Sequence, residues 1–146
     1  WALRCIRLSR KGCWAGTSVF PPESGNRTGE NDMSEMTLFE KIIAREIPAD
    51  IVFEDERCIA FRDVNPQAPM HILVCPKKPI PTVVQADEDD AGLLGYLLVK
   101  CGEIATNEGY ADAFRLVVNN GAAVGQSVFH LHIHVLGGRK FGWPPG

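Results

Sequence analysis

Residues 126–136 read Gln-Ser-Val-Phe-His-Leu-His-Ile-His-Val-Leu, and they hold three of the four histidines in the chain. Polar and apolar residues alternate with period 2, and Val, Leu, Ile and Phe are abundant. That pattern predicts a β-strand over about 127–136, not a helix. On a strand, His130, His132 and His134 share one face, while Phe129, Leu131, Ile133 and Val135 share the other. The aliphatic face is expected to pack into a core. The histidine face must then border something polar, such as water, a metal or an anionic ligand. A row of edge-strand surface histidines is the bland alternative, and three on one face of so histidine-poor a chain fit it badly.

Metal and nucleophile are the two chemistries such a row suggests. A rise of about 3.3 Å per residue sets His130 and His134 roughly 13 Å apart at the backbone. Tetrahedral zinc draws nitrogens to about 2.0–2.1 Å from one point, so three in a straight row converge poorly. A metal would need two of the three plus His71 or a thiolate, and neither C-x-x-C nor H-E-x-x-H accompanies them. The expectation is that no cofactor is required and that zinc binds only adventitiously. Nucleophilic catalysis fits better. The central imidazole, His132, is flanked on both sides, and neutral histidine is nucleophilic near its ordinary pKa of about 6.5. A phosphate is the natural electrophile, because flanking donors would stabilise its oxygens.

The segment just before the row, Asn-Asn-Gly-Ala-Ala-Val-Gly-Gln-Ser at 119–127, agrees with an anionic ligand. Gly121 and Gly125 allow close backbone approach, and Asn119, Gln126 and Ser127 supply hydrogen-bonding side chains. It is not a Walker loop, since it lacks G-K-[ST] and precedes a strand.

The run His-Leu-His-Ile-His-Val-Leu at 130–136 resembles the signature of the histidine triad proteins, nucleotidyl hydrolases and transferases. The likeness extends through 38–56, 60–78, 117–139 and the ending Trp-Pro-Pro-Gly at 143–146, and is nearest to the histidine-triad nucleotide-binding branch. His134 stands where a galactose-1-phosphate uridylyltransferase would carry Gln, which favours hydrolysis. The resemblance implies a purine nucleoside phosphoramidase and acyl-adenylate hydrolase that releases AMP through a nucleotidyl-histidine. Its ligands would be AMP, adenosine phosphoramidates and aminoacyl-adenylates. A dinucleoside polyphosphate hydrolase and a nonenzymatic nucleotide-binding scaffold are the alternatives.

Carried over by position, the resemblance makes His132 the nucleophile. His134 contacts phosphate and leaving group, His130 supports the central ring, and His71 completes the polar wall. Ser127 bonds near the departing nitrogen. Asp63 would accept the ribose hydroxyls, although a turn-initiating Asp is its plain alternative. Phe39, Ile42, Ile47, Phe61 and Val64 resemble an apolar base clamp, and each could be simple core. Asn119, Gly125 and Gln126 would border the sugar-phosphate. Trp143 matches a tail residue that reaches the partner subunit's site in a homodimer formed through the long helix and a neighbouring strand. The tail Lys-Phe-Gly-Trp departs slightly from the family's usual one, which would alter leaving-group preference.

A chain of 146 residues, 45% apolar, suits one domain with its own core. Net charge is −3, and because the first 22 residues carry four basic groups and no acid, the remainder carries −7. So acidic a body argues against nucleic-acid binding, and no apolar run is long enough for a membrane span. Five cysteines without a spaced framework read as small hydrophobes of a reducing compartment, hence a cytoplasmic protein. Residues 1–32 are basic, then rich in Gly, Pro and Ser. They read as a disordered extension, either an organelle-targeting remnant or retained upstream sequence, before a domain at 33–146.

Within that domain, Thr37 and Glu40 form a capping box for a helix ended by Ile47-Pro48. Strands are expected at about 50–54, 57–62, 70–75, 113–119 and 127–136. A helix over 88–107 should bury Leu93, Leu94, Leu97, Leu98, Cys101, Ile104 and Ala105. Together these give an α+β histidine-triad fold: an antiparallel sheet of about five strands with two helices, dimerising.

Overall fold

The computed structural model describes residues 36–145; the extension expected over 1–32 lies outside the described residues. Helix α1, Leu38–Ile43, opens on the capping box. The Thr37 hydroxyl accepts from the Glu40 amide at 3.2 Å, and the Glu40 carboxylate accepts from the Thr37 amide at 2.7 Å. The helix stops earlier than the Ile47-Pro48 expectation. Arg45 adopts φ 65°, and its amide and that of Glu46 turn back to the carbonyls of Ile42 and Lys41. This is a Schellman ending with Arg where Gly is usual, and an ion pair from Arg45 to Glu54 ties it to the sheet.

Strands β1 (Ile51–Glu54), β2 (Cys58–Arg62), β3 (Met70–Pro76), β4 (Phe114–Val117) and β5 (Ile133–Gly137) form one antiparallel sheet in the order β1-β2-β3-β5-β4. Helix α2, Ala91–Asn107, follows a single 3-10 turn whose Asp87 carboxylate caps the amides of Asp89 and Asp90. Leu97, Cys101, Ile104 and Ala105 are buried as expected, but Leu98 is 52% exposed. It follows Leu97 by one residue, so it points about 100° away around the helix.

Alternation along the strands divides the core. Cys58, Ala60, Met70, Ile72, Val74, Ile133 and Val135 pack with α2. Ile59, Phe61, Leu73 and Cys75 face the other way, toward Phe39 and Ile42 of α1. β3, at the centre of the sheet, is therefore buried along its whole length. Cys58, Cys75 and Cys101 are buried free thiols, and burial pushes the thiols of Cys58 and Cys101 up to about 12, where they are inert. No helix among the described residues is long and apolar enough to cross a membrane.

The last strand differs most from expectation. Regular pairing begins only at Ile133, so His130 and His132 precede the ladder. The chain there is pinned by other bonds: the Leu131 amide donates to Ile80 O at 2.6 Å, and the His130 ring reaches Pro76 O at 2.8 Å. Alternation survives this detour from Leu131 onward, but Phe129 is 50% exposed and leaves the apolar face.

Candidate active site

Between α1 and the sheet lies a pocket of about 230 Å³ lined by Phe39, Ile42, Ile47, Phe61, Asp63, Val64, Gly125, Ser127, His132 and His134. Every residue assigned to the base clamp is therefore present. The sequence reading missed Leu38, Pro48, Ala49, Arg62, Leu73 and Val128, which complete the lining. Leu73 had a signal: two residues beyond His71 on a strand, it must share the His71 face.

Five residues assigned to the site stand outside this lining. Gln126 is 1% exposed and works as an internal brace. Its carbonyl accepts from the Gly121 amide at 2.8 Å, and its amide donates to Pro81 O at 2.7 Å. It shapes the loop through Gly121 (φ 101°) and Gly125 (φ 94°). Asn119 sits behind that loop, its Nδ2 3.7 Å from where a Cβ at Gly125 would be. His130, 1% exposed, is buried beneath the pocket, and His71 stands behind His134. Trp143 is 87% exposed beside Arg115 and Val117, away from this chain's own pocket.

Hydrogen bonds fix the state of each ring. His132 Nδ1 lies 2.8 Å from the His130 carbonyl. A carbonyl only accepts, so Nδ1 carries the proton and Nε2 keeps its lone pair. His130 thus supports the central ring through its backbone, while its own ring is held at Pro76 O. The Gln67 amide donates to His71 Nδ1 at 3.0 Å, so the His71 proton is on Nε2. That Nε2–H donates to His134 Nδ1 at 2.9 Å. The His134 proton is then on Nε2, a buried atom with no partner among the described residues. The pocket therefore presents one lone pair, from His132, and one unspent N–H, from His134.

Burial favours the neutral rings of His71, His132 and His134. It lowers His132 against the opposing bond from the His130 carbonyl, and lowers His71 against the charge of Asp63. His134 falls to about 4, through burial and the neighbouring His132 and His71. Phe39 stands edge-on to His132, with centroids 5.0 Å apart, and contributes to that desolvation. Asp63 serves the turn and also borders the pocket. One oxygen caps the Asn65 amide at 2.8 Å in a turn, and the other lies 3.4 Å from His71 Nε2 at the pocket edge.

No ligand cluster was expected beside the histidine row, yet the fold brings one donor atom each from Asp63, His71 and His134 within 4.8 Å of one another. The cluster was hidden because Asp63 and His71 reach the row only through strand pairing. Three donors this close are compatible with adventitious zinc. Occupancy would require His71 to give up its bond to His134 and move its proton to Nδ1, where it would oppose the Gln67 N–H.

The family model of the HIT domain matches residues 44–141. An uncharacterised HIT-like protein of Synechocystis is 62% identical over 114 residues, which are 78% of this chain and all of that one. A 14 kDa zinc-binding protein of Zea mays is 49% identical over 112 residues, 75% of this chain and 88% of that protein. Among solved structures, a HIT family hydrolase from Legionella pneumophila superposes with a TM-score of 0.73 at 48% identity, covering 75% of this chain and 98% of its own.

Proposed function

The chain belongs to the HIT domain family, and on that premise we propose that it is an adenosine 5′-phosphoramidase and acyl-adenylate hydrolase of the histidine-triad nucleotide-binding branch. The observation that carries this reading is the pairing of the His132 Nε2 lone pair with the partnerless His134 Nε2–H in one pocket. Nε2 of His132 bonds to the α-phosphorus as the P–N bond breaks. The amine leaves with that electron pair and takes its proton from water, while the His134 Nε2–H and the Ser127 hydroxyl donate hydrogen bonds beside it. Water then attacks phosphorus, the P–Nε2 bond breaks with its electron pair returning to His132, AMP departs and the water proton is released to solvent. Asp63 would accept the ribose hydroxyls, and Phe39, Ile42, Ile47, Phe61 and Val64 would hold the purine.

No step needs a metal, so zinc is adventitious, as the His71–His134 bond supports. A homodimer is the expected assembly. In its support, Leu98 and Val99 are 52% and 60% exposed on α2, and β4 is an edge strand with an open ladder. Trp143 would then reach the partner's site. The buried free thiols favour a cytoplasmic setting.

The test is turnover of an adenosine phosphoramidate against a diadenosine polyphosphate, with trapping of the nucleotidyl-enzyme. Faster phosphoramidate cleavage with trapped nucleotide is expected. Preference for the dinucleotide would give the polyphosphate hydrolase reading, and no trapping with either would give a nonenzymatic scaffold.

A further inference from the structure

The proton on His134 Nε2 is set by atoms outside the pocket. Its direction depends on His71, whose Nε2–H tautomer is set at Nδ1 by one backbone N–H, that of Gln67, and favoured at Nε2 by the Asp63 carboxylate 3.4 Å away. Gln67 lies in the turn between β2 and β3, and a peptide in a turn holds its orientation only if something holds the turn. Two restraints act from the turn itself: the Gln67 side chain donates to Asn65 O at 2.9 Å, and the Asn65 amide bonds Asp63. The third comes from the far end of the chain. Arg139 Nε donates to the Gln67 carbonyl at 2.9 Å, across 72 residues of sequence.

The fold makes room for that contact. A Cβ at Gly137 would lie 2.7 Å from the Met70 methyl, and one at Gly138 would lie 2.8 Å from the Pro69 ring. Only glycine lets the end of β5 press so closely on the β2–β3 turn, and Gly138 also takes φ 87°. Arg139 is then fixed from both sides. Its guanidinium stacks 4.2 Å from the Phe141 ring centroid and donates to Lys140 O at 3.2 Å.

We infer that Arg139 is a positioning residue: by bonding the Gln67 carbonyl it fixes Gln67, whose N–H on the preceding peptide unit holds His71 and His134 in the tautomers that aim the His134 N–H into the pocket. Arg139 is not among the residues that line the pocket. Without that bond, Gln67 can shift within the turn, carrying its N–H away, and His71 Nδ1 loses its donor. The His71 proton is then free to sit on Nδ1, and His134 must put its own on Nδ1 to keep their bond. The pocket would lose its N–H donor and gain a second lone pair. The consequence falls on steps that need a hydrogen-bond donor at the departing nitrogen, so this role rests on the phosphoramidase reading, whereas the tautomers themselves do not.

The experiment pairs nitrogen NMR of 15N-histidine-labelled protein with single-turnover kinetics. The proteins are wild type, Arg139→Ala and Arg139→Lys. Wild type should show His71 and His134 protonated on Nε2. Arg139→Ala should populate Nδ1–H at both rings and slow phosphoramidate cleavage about tenfold, through partial loss of the His134 hydrogen bond to the departing nitrogen. Cleavage of an acyl-adenylate, whose carboxylate leaves without a proton, should change less than about twofold, as should AMP affinity. Lysine, which can still donate to Gln67 O, should restore the Nε2 tautomers. Unchanged tautomers in Arg139→Ala would overturn the inference, as would equal losses on both substrates. If wild-type protein cleaves neither substrate, the phosphoramidase reading falls, and the NMR result alone decides the role of Arg139.

Discussion

On the face of the sheet covered by α2, thirteen of the described residues form one closed apolar cluster; on the face covered by α1, six do, and the rest of that face is pocket. The difference begins with length. α2 has 17 residues and α1 has six, or about 25 Å of helix against about 9 Å at 1.5 Å per residue. A helix of under two turns cannot cover a five-stranded sheet. What it leaves uncovered is the pocket that His132 and His134 line. Period-2 alternation then sends neighbouring residues of one segment to opposite duties, Ile133 to the closed face and His132 and His134 to the open one.

The sharpest way to separate the faces is to remove one residue from each. His132→Ala should lower turnover by at least about a thousandfold, as loss of a covalent nucleophile does, with the thermal midpoint and AMP affinity largely kept. A variant retaining a tenth of wild-type activity would exclude His132 as the nucleophile. Ile133→Ala, one residue along and 3% exposed, should do the reverse. Truncating a buried isoleucine costs about 2–5 kcal/mol in denaturant unfolding, with activity per folded molecule retained. A catalytic loss in the folded protein as large as that of His132→Ala would end the division of labour.

The smallest effect is on stability against pH. His71, His132 and His134 are held neutral by burial, with His134 at about 4. Below the ordinary value of about 6.5 the unfolded chain binds protons that the folded chain refuses, so stability falls with pH through that window. For His134 the loss is complete near pH 4. On the closed face, hydrogen bonds from Tyr96, Cys58 and Arg57 outweigh burial and hold Asp55 down to about 2. Its contribution is present above the ordinary 3.8 and is lost from there toward 2. Urea midpoints should therefore drop in two stages, and the upper one should shrink in His134→Asn. A single stage beginning below pH 4 would show that the open face carries no titrating load.

The sequence carried the elements with local signals. Thr37 and Glu40 mark a helix start within four residues, and His130, His132 and His134 mark a site within five, so both were legible. What depended on distant partners was not. The Schellman ending at Arg45 uses a residue of low αL preference, held by Glu54 nine positions away. Strand β5 is short because Leu131 is diverted to Ile80 O, a bond no periodicity encodes. Gln126 reads as a ligand contact because amide side chains in glycine loops often are, and only its bonds to Gly121 and Pro81 reveal a brace. The Asp63–His71–His134 cluster and the Gln67 amide were invisible for the same reason.

The His71–His134 bond spans 63 residues and sits across β3 and β5, the centre of the sheet. Loop-closure entropy grows with the chain enclosed, so a pairing of this span forms late relative to either helix or the β1–β2 hairpin. α2 and the β2–β3 pair can assemble while the two imidazoles are still strangers. During refolding, helical circular dichroism should recover ahead of enzymatic competence. A nascent chain still short of β5 is chemically silent toward nucleotides, however much of its fold is already in place.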